Sequence, residues 1–153
     1  MSETTPKPVT HSNSSATLRL ETLEGTRLRF GVRVGEQAFV LDSGPEAEGP
    51  SPVQVVQAAL GGCTAMDVIS ILRKKRQQVT GYEVEVLAER RLDPHPRILT
   101  RMEIIHRVRG RGVNPAAVAE AIELSDTKYC AVHGMLEHAV AISSRFEITE
   151  ESP

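Results

Sequence analysis

Large aromatic rings are nearly absent from this chain of 153 residues: aromatic residues make up 3%, with no tryptophan, two tyrosines and three phenylalanines. The core must therefore be filled by Val, Ile, Leu, Ala and Met. Burying part of the surface in a dimer would ease that shortage, because a chain this short leaves much of its surface in water. Net charge is also scarce: 18 Lys and Arg stand against 20 Asp and Glu, a formal net charge of -2. Such a balance supplies no basic field of the kind that draws nucleic acid or anionic membrane, and neither is expected as a partner. No run approaches the ~20 apolar residues that cross a bilayer. The opening MSETTPKPVTHSNSSAT lacks the apolar stretch of a secretory leader, so a soluble, cytoplasmic protein is expected. Two cysteines are too few for a disulfide-stapled scaffold. In a reducing compartment such a pair is catalytic, redox-active, metal-binding or simply buried.

What is present is a globular composition, 40% apolar and 25% charged. The length suits a single domain over residues 15–149, after a Ser, Thr and Pro-rich flexible tail at 1–14 and before a frayed end at 150–153. In TRLRFGVRV, Leu28, Phe30, Val32 and Val34 alternate with Arg27, Arg29, Gly31 and Arg33, a strand with one apolar and one arginine-bearing face. Gly35 and Glu36 form a tight turn into Ala38–Leu41, so the first third is a β-meander. SGPEAEGPSP is a loop ending in a helix start, Ser51 as cap and Pro52 in the first turn. From Val53 to Leu72 the chain is apolar around most of a helical circumference, which predicts a buried central helix. Arg73–Arg76 then complement its negative end.

Strand patterning resumes at Gly81 and again over Ile98–Val108, separated by DPHP. Asn114 and Pro115 start a helix to about Leu124; Ser125 and Asp126 restart a short one through Cys130, Met135 and His138; Ala139–Ile148 is a last strand.

Cys63 follows Gly61 and Gly62 in the middle of the central helix. A helical glycine costs roughly 1 kcal/mol relative to alanine, and close approach of another backbone or of a substrate beside the thiol would be a reason for the pair. Inert, buried cysteines remain open at this point, since free Cys behaves as a small hydrophobe. Cys130 and His133 share a helix face at three-residue spacing, but a closed zinc site needs four ligands and Cys63 has no paired neighbour, so no metal is expected. Asp67, four residues after Cys63, lies on nearly the same face. A carboxylate there would oppose thiolate formation, and it is taken as a structural partner for a cation across a dimer. His133 is taken as exposed or capped.

The stretch SPVQVVQAALGGCTAMDVISILRKKRQ resembles the central-helix signature of the OsmC/Ohr family, the osmotically inducible and organic-hydroperoxide-resistance proteins, and ELSDTKYCAVHGML resembles its second-cysteine motif. The order of elements matches over roughly residues 17–148, and GGCTAMDV with VTGYEVEVLAER looks most like the OsmC-like branch. The resemblance implies an α+β fold in an intertwined homodimer, with long buried central helices wrapped by antiparallel β-sheets. It implies that Cys63 attacks an organic hydroperoxide, becomes a sulfenic acid and condenses with the resolving Cys130. A dithiol of lipoyl or thioredoxin type then reduces the disulfide, and no cofactor takes part. An early-strand arginine holds the thiolate in this family; Arg29 is the nearest match, with Arg27 and Arg33 as rivals. The family's acid at the helix start is missing here, where Gln54 stands, and Glu46 or Glu48 could substitute. Val56, Leu60 and Met66 are the expected apolar lining of a substrate pocket. The alternative function is an OsmC-like small-molecule binding or redox-sensing dimer with weak turnover.

Overall fold

The computed structural model describes residues 7–22 and 25–152, with residues 1–6 of the expected tail lying outside them. The chain resolves into two compact units, residues 1–52 and 53–153, where the sequence suggests a single domain.

The first unit is a three-stranded antiparallel meander of β1 (Ala16–Leu20), β2 (Phe30–Val34) and β3 (Gln37–Leu41), in that order; of TRLRFGVRV only Phe30–Val34 is strand, and Arg27, the exposed Leu28 and Arg29 precede it. Val34 pairs with Gln37, which leaves Gly35 and Glu36 as a two-residue hairpin turn. Gly35 sits at φ +59, the conformation that the first position of such a turn demands and that glycine adopts without strain. Val32 is buried, but Leu18, Leu20, Val34 and Phe39 remain exposed, so the sheet covers only part of its apolar surface within the chain.

The second unit opens with α1 (Pro52–Lys74), followed by β4 (Gln78–Arg90), β5 (Leu99–Arg111), α2 (Pro115–Leu124), a π-helical turn (Ser125–Tyr129), α3 (Ala131–Leu136) and β6 (Ala141–Glu150). Asn114 caps α2 as the Asn-Pro pair suggests, its side chain accepting from the Ala116 amide at 2.9 Å. β4 and β5 pair antiparallel, but β6 runs parallel to β5. The expectation of antiparallel sheets is therefore corrected for this one. The reason is the connection: α2, the π turn and α3 carry the chain back along the sheet, as a parallel neighbour requires.

The even-numbered residues of β5 face the helices. Met102, Ile104 and Val108 are buried in two apolar clusters, one with Leu60 and Cys130, the other with Val68, Leu72, Val118 and Ile122. The odd face carries charge, where Arg107 reaches Glu83, Glu85 and Glu147 at 2.9, 2.7 and 3.2 Å.

Helix α1 departs from expectation in two ways. It is long and apolar enough to cross a membrane by length and composition alone, because Gly, Thr and Ser interrupt its apolar runs without making it polar. Its buried residues pack instead against β5 and α2. It is also buried only on the row Leu60, Thr64, Val68 and Leu72 together with Gly61, while Met66 is 75% exposed. Four-residue spacing covers one stripe, so within one chain α1 is not buried all round. Gly61 is explained by close packing: a Cβ there would stand 2.9 Å from the Val86 side chain, whereas one at Gly62 would meet open space.

His106 is fully buried on the inner face of β5, its Nδ1 at 2.7 Å from the Tyr82 hydroxyl and its ring stacked on that of Tyr82. Burial holds its pKa down at about 4, against a smaller opposing pull from Asp126. A base buried neutral stabilises the fold above its unfolded pKa of about 6.5 and loses that contribution as the unfolded state takes up a proton below it. Between pH 6.5 and pH 4 the wild type is expected to lose more stability than His106→Gln. Denaturant midpoints across that range check this, and parallel losses in the two proteins would refute it.

Candidate redox site

The two cysteines, distant in sequence, meet in the second unit. Cys63 lies mid-way along α1, partly exposed; Cys130 is buried and ends the π turn. Cys130 does not lie inside a helix as expected. Its backbone is extended (φ -71, ψ 103) and it caps α3, its Sγ accepting from the His133 amide at 3.4 Å. The break is built by the π turn, whose wider winding offsets the chain by one residue and closes on the Cys130 amide, which donates to the Ser125 carbonyl at 2.8 Å. Cys63 Sγ, Cys130 Sγ and a carboxylate oxygen of Asp67 all lie within 4.8 Å of one another. Both thiols are free.

Three residues that sequence reasoning missed or misread hold this arrangement. The Ser125 hydroxyl, fully buried, lies 3.0 Å from Asp67 Oδ2 and 3.0 Å from the Thr64 hydroxyl. One proton suffices: Ser125 donates to the carboxylate and accepts from Thr64. Within the chain Asp67 takes a hydroxyl as its partner. Its available signal was the spacing of Thr64 and Asp67, three apart on the face that also carries Cys63. His133 is buried rather than exposed, its Nδ1 3.3 Å from Asp126 Oδ1 but poorly aligned for a hydrogen bond. What reaches Cys130 is its backbone amide.

Burial pushes the Cys130 thiol up to about 11, the His133 amide partly opposing this and a hydrogen bond to Cys63 reinforcing it. Cys130 is therefore a neutral thiol at pH 7 that points at its partner sulfur.

The early-strand arginines cluster in the first unit. Arg27 forks onto Asp42, with Nη2 to Oδ2 at 2.7 Å and Nε to Oδ2 at 3.1 Å, and reaches Glu48 at 3.0 Å. Arg29 contacts Glu21 at 2.9 Å and Glu48 at 3.1 Å. Arg33 is exposed. Asp42, which the sequence analysis did not single out, is the anchor. It is 1% exposed, accepts from the amides of Ser43 and Glu48, and Arg27 holds its carboxyl well below the usual range. An Asp at the strand end opening a Gly and Pro-rich loop is a typical turn-forming residue, and that was its signal. Glu48, named as a substitute for the missing helix acid, does bind both arginines, while Glu46 is exposed.

Gln54 is exposed near the start of α1, whose first turn carries no acid. Leu60 is fully buried beside Cys130, Val56 is 39% exposed, and Met66 projects from another side of the helix. The three expected pocket residues thus do not share one face.

Comparison with known proteins agrees with this architecture. The family described as OsmC-like protein matches residues 44–145. Protein YhfA of Escherichia coli strain K12 is 40% identical over 130 residues, covering 85% of this chain and 96% of YhfA. The crystal structure of a hypothetical protein from Aquifex aeolicus VF5 superposes with TM-score 0.81 at 25% identity, over 93% of this chain and all of that one. The organic hydroperoxide resistance protein OhrB of Bacillus subtilis shares the fold at TM-score 0.60 and 12% identity, over 89% of this chain and 98% of its own. With its paired cysteines, its mixed α+β architecture and a family match spanning most of its length, the chain belongs to the OsmC-like family.

Proposed function

We propose that the protein is a thiol-dependent peroxidase for organic hydroperoxides, acting in the cytoplasm as a homodimer in oxidative stress defence. The observation that carries this reading is the approach of Cys63 and Cys130 to within 4.8 Å in a family that includes organic hydroperoxide resistance proteins. In the first step the Cys63 thiolate attacks the outer peroxide oxygen and the O–O bond breaks. Cys63 is left as a sulfenic acid, and the alkoxide takes a proton to leave as an alcohol. In the second, Cys130 attacks the sulfenic sulfur, forming the disulfide, and its thiol proton leaves with the hydroxide as water. A dithiol of lipoyl or thioredoxin type returns both thiols.

Arg29 is the proposed cation for the Cys63 thiolate, with Glu48 supplying the carboxylate that the helix start lacks and Gln54 a neutral hydrogen bond. Arg27 is committed to the buried Asp42 and is the weaker candidate. Val56 is the proposed apolar side of the substrate site, with the buried Leu60 packed behind it and Met66, on another side of α1, available to a second copy of the chain. The uncovered apolar residues of α1 and of the meander support that second copy: Val56, Met66, Leu18 and Phe39 are all exposed in one chain. A molar mass in solution equal to one chain would refute the dimer.

A second reading, a binding or redox-sensing dimer with weak turnover, is favoured by one feature, the acid-free first turn of α1. Consumption of cumene hydroperoxide and of hydrogen peroxide under dihydrolipoamide separates the two. Turnover faster with the organic peroxide is expected, falling to background in Cys63→Ser. Cys130→Ser is expected to consume one equivalent and stall. Wild-type consumption no faster than Cys63→Ser would sink the peroxidase and leave the sensing reading.

The thiol chemistry of Cys130 has its own test. In reduced Cys63→Ser, iodoacetamide is expected to modify Cys130 roughly a hundredfold more slowly than a free cysteine at pH 7. The rate should climb about tenfold per pH unit toward pH 11. A rate independent of pH would contradict a neutral buried thiol.

A further inference from the structure

We propose that, with both thiols reduced, Cys63, Cys130 and Asp67 form a three-ligand site for a thiophilic divalent cation of the zinc class, with its fourth position open. The cation site does not depend on the peroxidase reading, since it needs only the reduced thiols and the carboxylate. Three observations carry it.

The first is donor geometry. Two sulfurs and a carboxylate oxygen lie mutually within 4.8 Å. A tetrahedral zinc ion with bonds of about 2.3 Å to sulfur and about 2.1 Å to oxygen needs these atoms roughly 3.5–3.8 Å apart. The remaining closure of about 1 Å falls within side-chain rotation. Cys63 and Asp67 stand four residues apart on one rigid helix, so their spacing is fixed, and Cys130 caps a second.

The second is the support behind the ligands. The Ser125 hydroxyl occupies Asp67 Oδ2 at 3.0 Å, backed by Thr64. That orients the carboxylate while engaging only one of its two oxygens. The His133 amide points at Cys130 Sγ at 3.4 Å, as amides do at metal-bound thiolates. The third is access: Cys63 and Asp67 are both half-buried on α1 rather than sealed in the core. Two sulfurs select a soft or borderline cation over calcium or magnesium.

Binding replaces two S–H bonds with two metal–sulfur bonds and releases two protons to solvent, so affinity rises with pH. Oxidation to the disulfide removes both thiolates and abolishes the site. Conversely, a bound cation holds both sulfurs and blocks the attack of Cys63 on peroxide, which makes zinc an inhibitor where the peroxidase reading holds.

The test is titration of the reduced, full-length protein with cadmium alone, read by the cadmium–thiolate charge-transfer band, and with zinc by competition against a chromophoric chelator. One cation per chain is expected, with a band for two thiolates that is lost after prior oxidation and halved in Cys130→Ser. In Asp67→Asn, which keeps an acceptor for Ser125, the band at saturation is unchanged but affinity falls roughly 10–100-fold. No stoichiometric band in the reduced wild type would overturn the site, as would equal affinity in Asp67→Asn. The cadmium band appearing in a protein that consumes no peroxide would support the site while removing the peroxidase. Rapid peroxide turnover with no band would do the reverse.

Discussion

The buried Ser125 hydroxyl is the contact on which the geometry of the site depends. It bridges Thr64 and Asp67 of α1 from the first residue of the π turn, five positions ahead of Cys130. A buried hydroxyl without partners costs roughly 1–3 kcal/mol, so once α1 and α2 pack, Ser125 is held to these two partners. The π turn winds away from that point, its last amide bond closes on the Ser125 carbonyl, and the chain is delivered at Cys130 in an extended conformation beside Cys63. A regular helix through the same residues would carry Cys130 about 100° round per residue and leave its sulfur with helical neighbours. The sulfur pairing is thus a product of one hydrogen-bonded anchor and one irregular turn.

Much of the fold could be read from periodicity. The Gly35–Glu36 hairpin turn, the Asn-Pro start of α2 and the basic end of α1 depend on local chemistry, and the structure follows them. The direction of β6 could not be read, because parallel and antiparallel strands carry the same inward pattern here: Ile142, Phe146 and Ile148 face the helices either way. Nor could the extent to which α1 is buried. An all-round apolar helix signals that every face is covered by something, but composition does not say whether the cover lies in the same chain.

In the second unit the cysteines were legible, whereas Thr64 and Ser125 were not; in the first unit Glu48 was singled out and Asp42, the buried partner of Arg27, was not. Thr64, Ser125 and Asp42 each act by accepting or passing a hydrogen bond to a group distant in sequence, and small polar residues bear no periodic signature of that. His133 shows the same limit from the other side. Its ring attracted attention at three residues from Cys130, yet the group that reaches the sulfur is its backbone amide, which any non-proline residue would supply.

Charge ties the two functional readings together. The Asp67 oxygen stands within 4.8 Å of both sulfurs, and at Cys130 it adds to the burial that pushes the thiol up. Ser125 orients the carboxylate. Positive charge can meet the sulfurs in two forms: a guanidinium, which stabilises one thiolate and leaves it free to attack, or a divalent cation, which binds both sulfurs and leaves neither free. The two are mutually exclusive at the same sulfur. A peroxidase that draws a guanidinium to Cys63 would thus be silenced by zinc, and Asp67, as the third ligand, would set how tightly the cation competes.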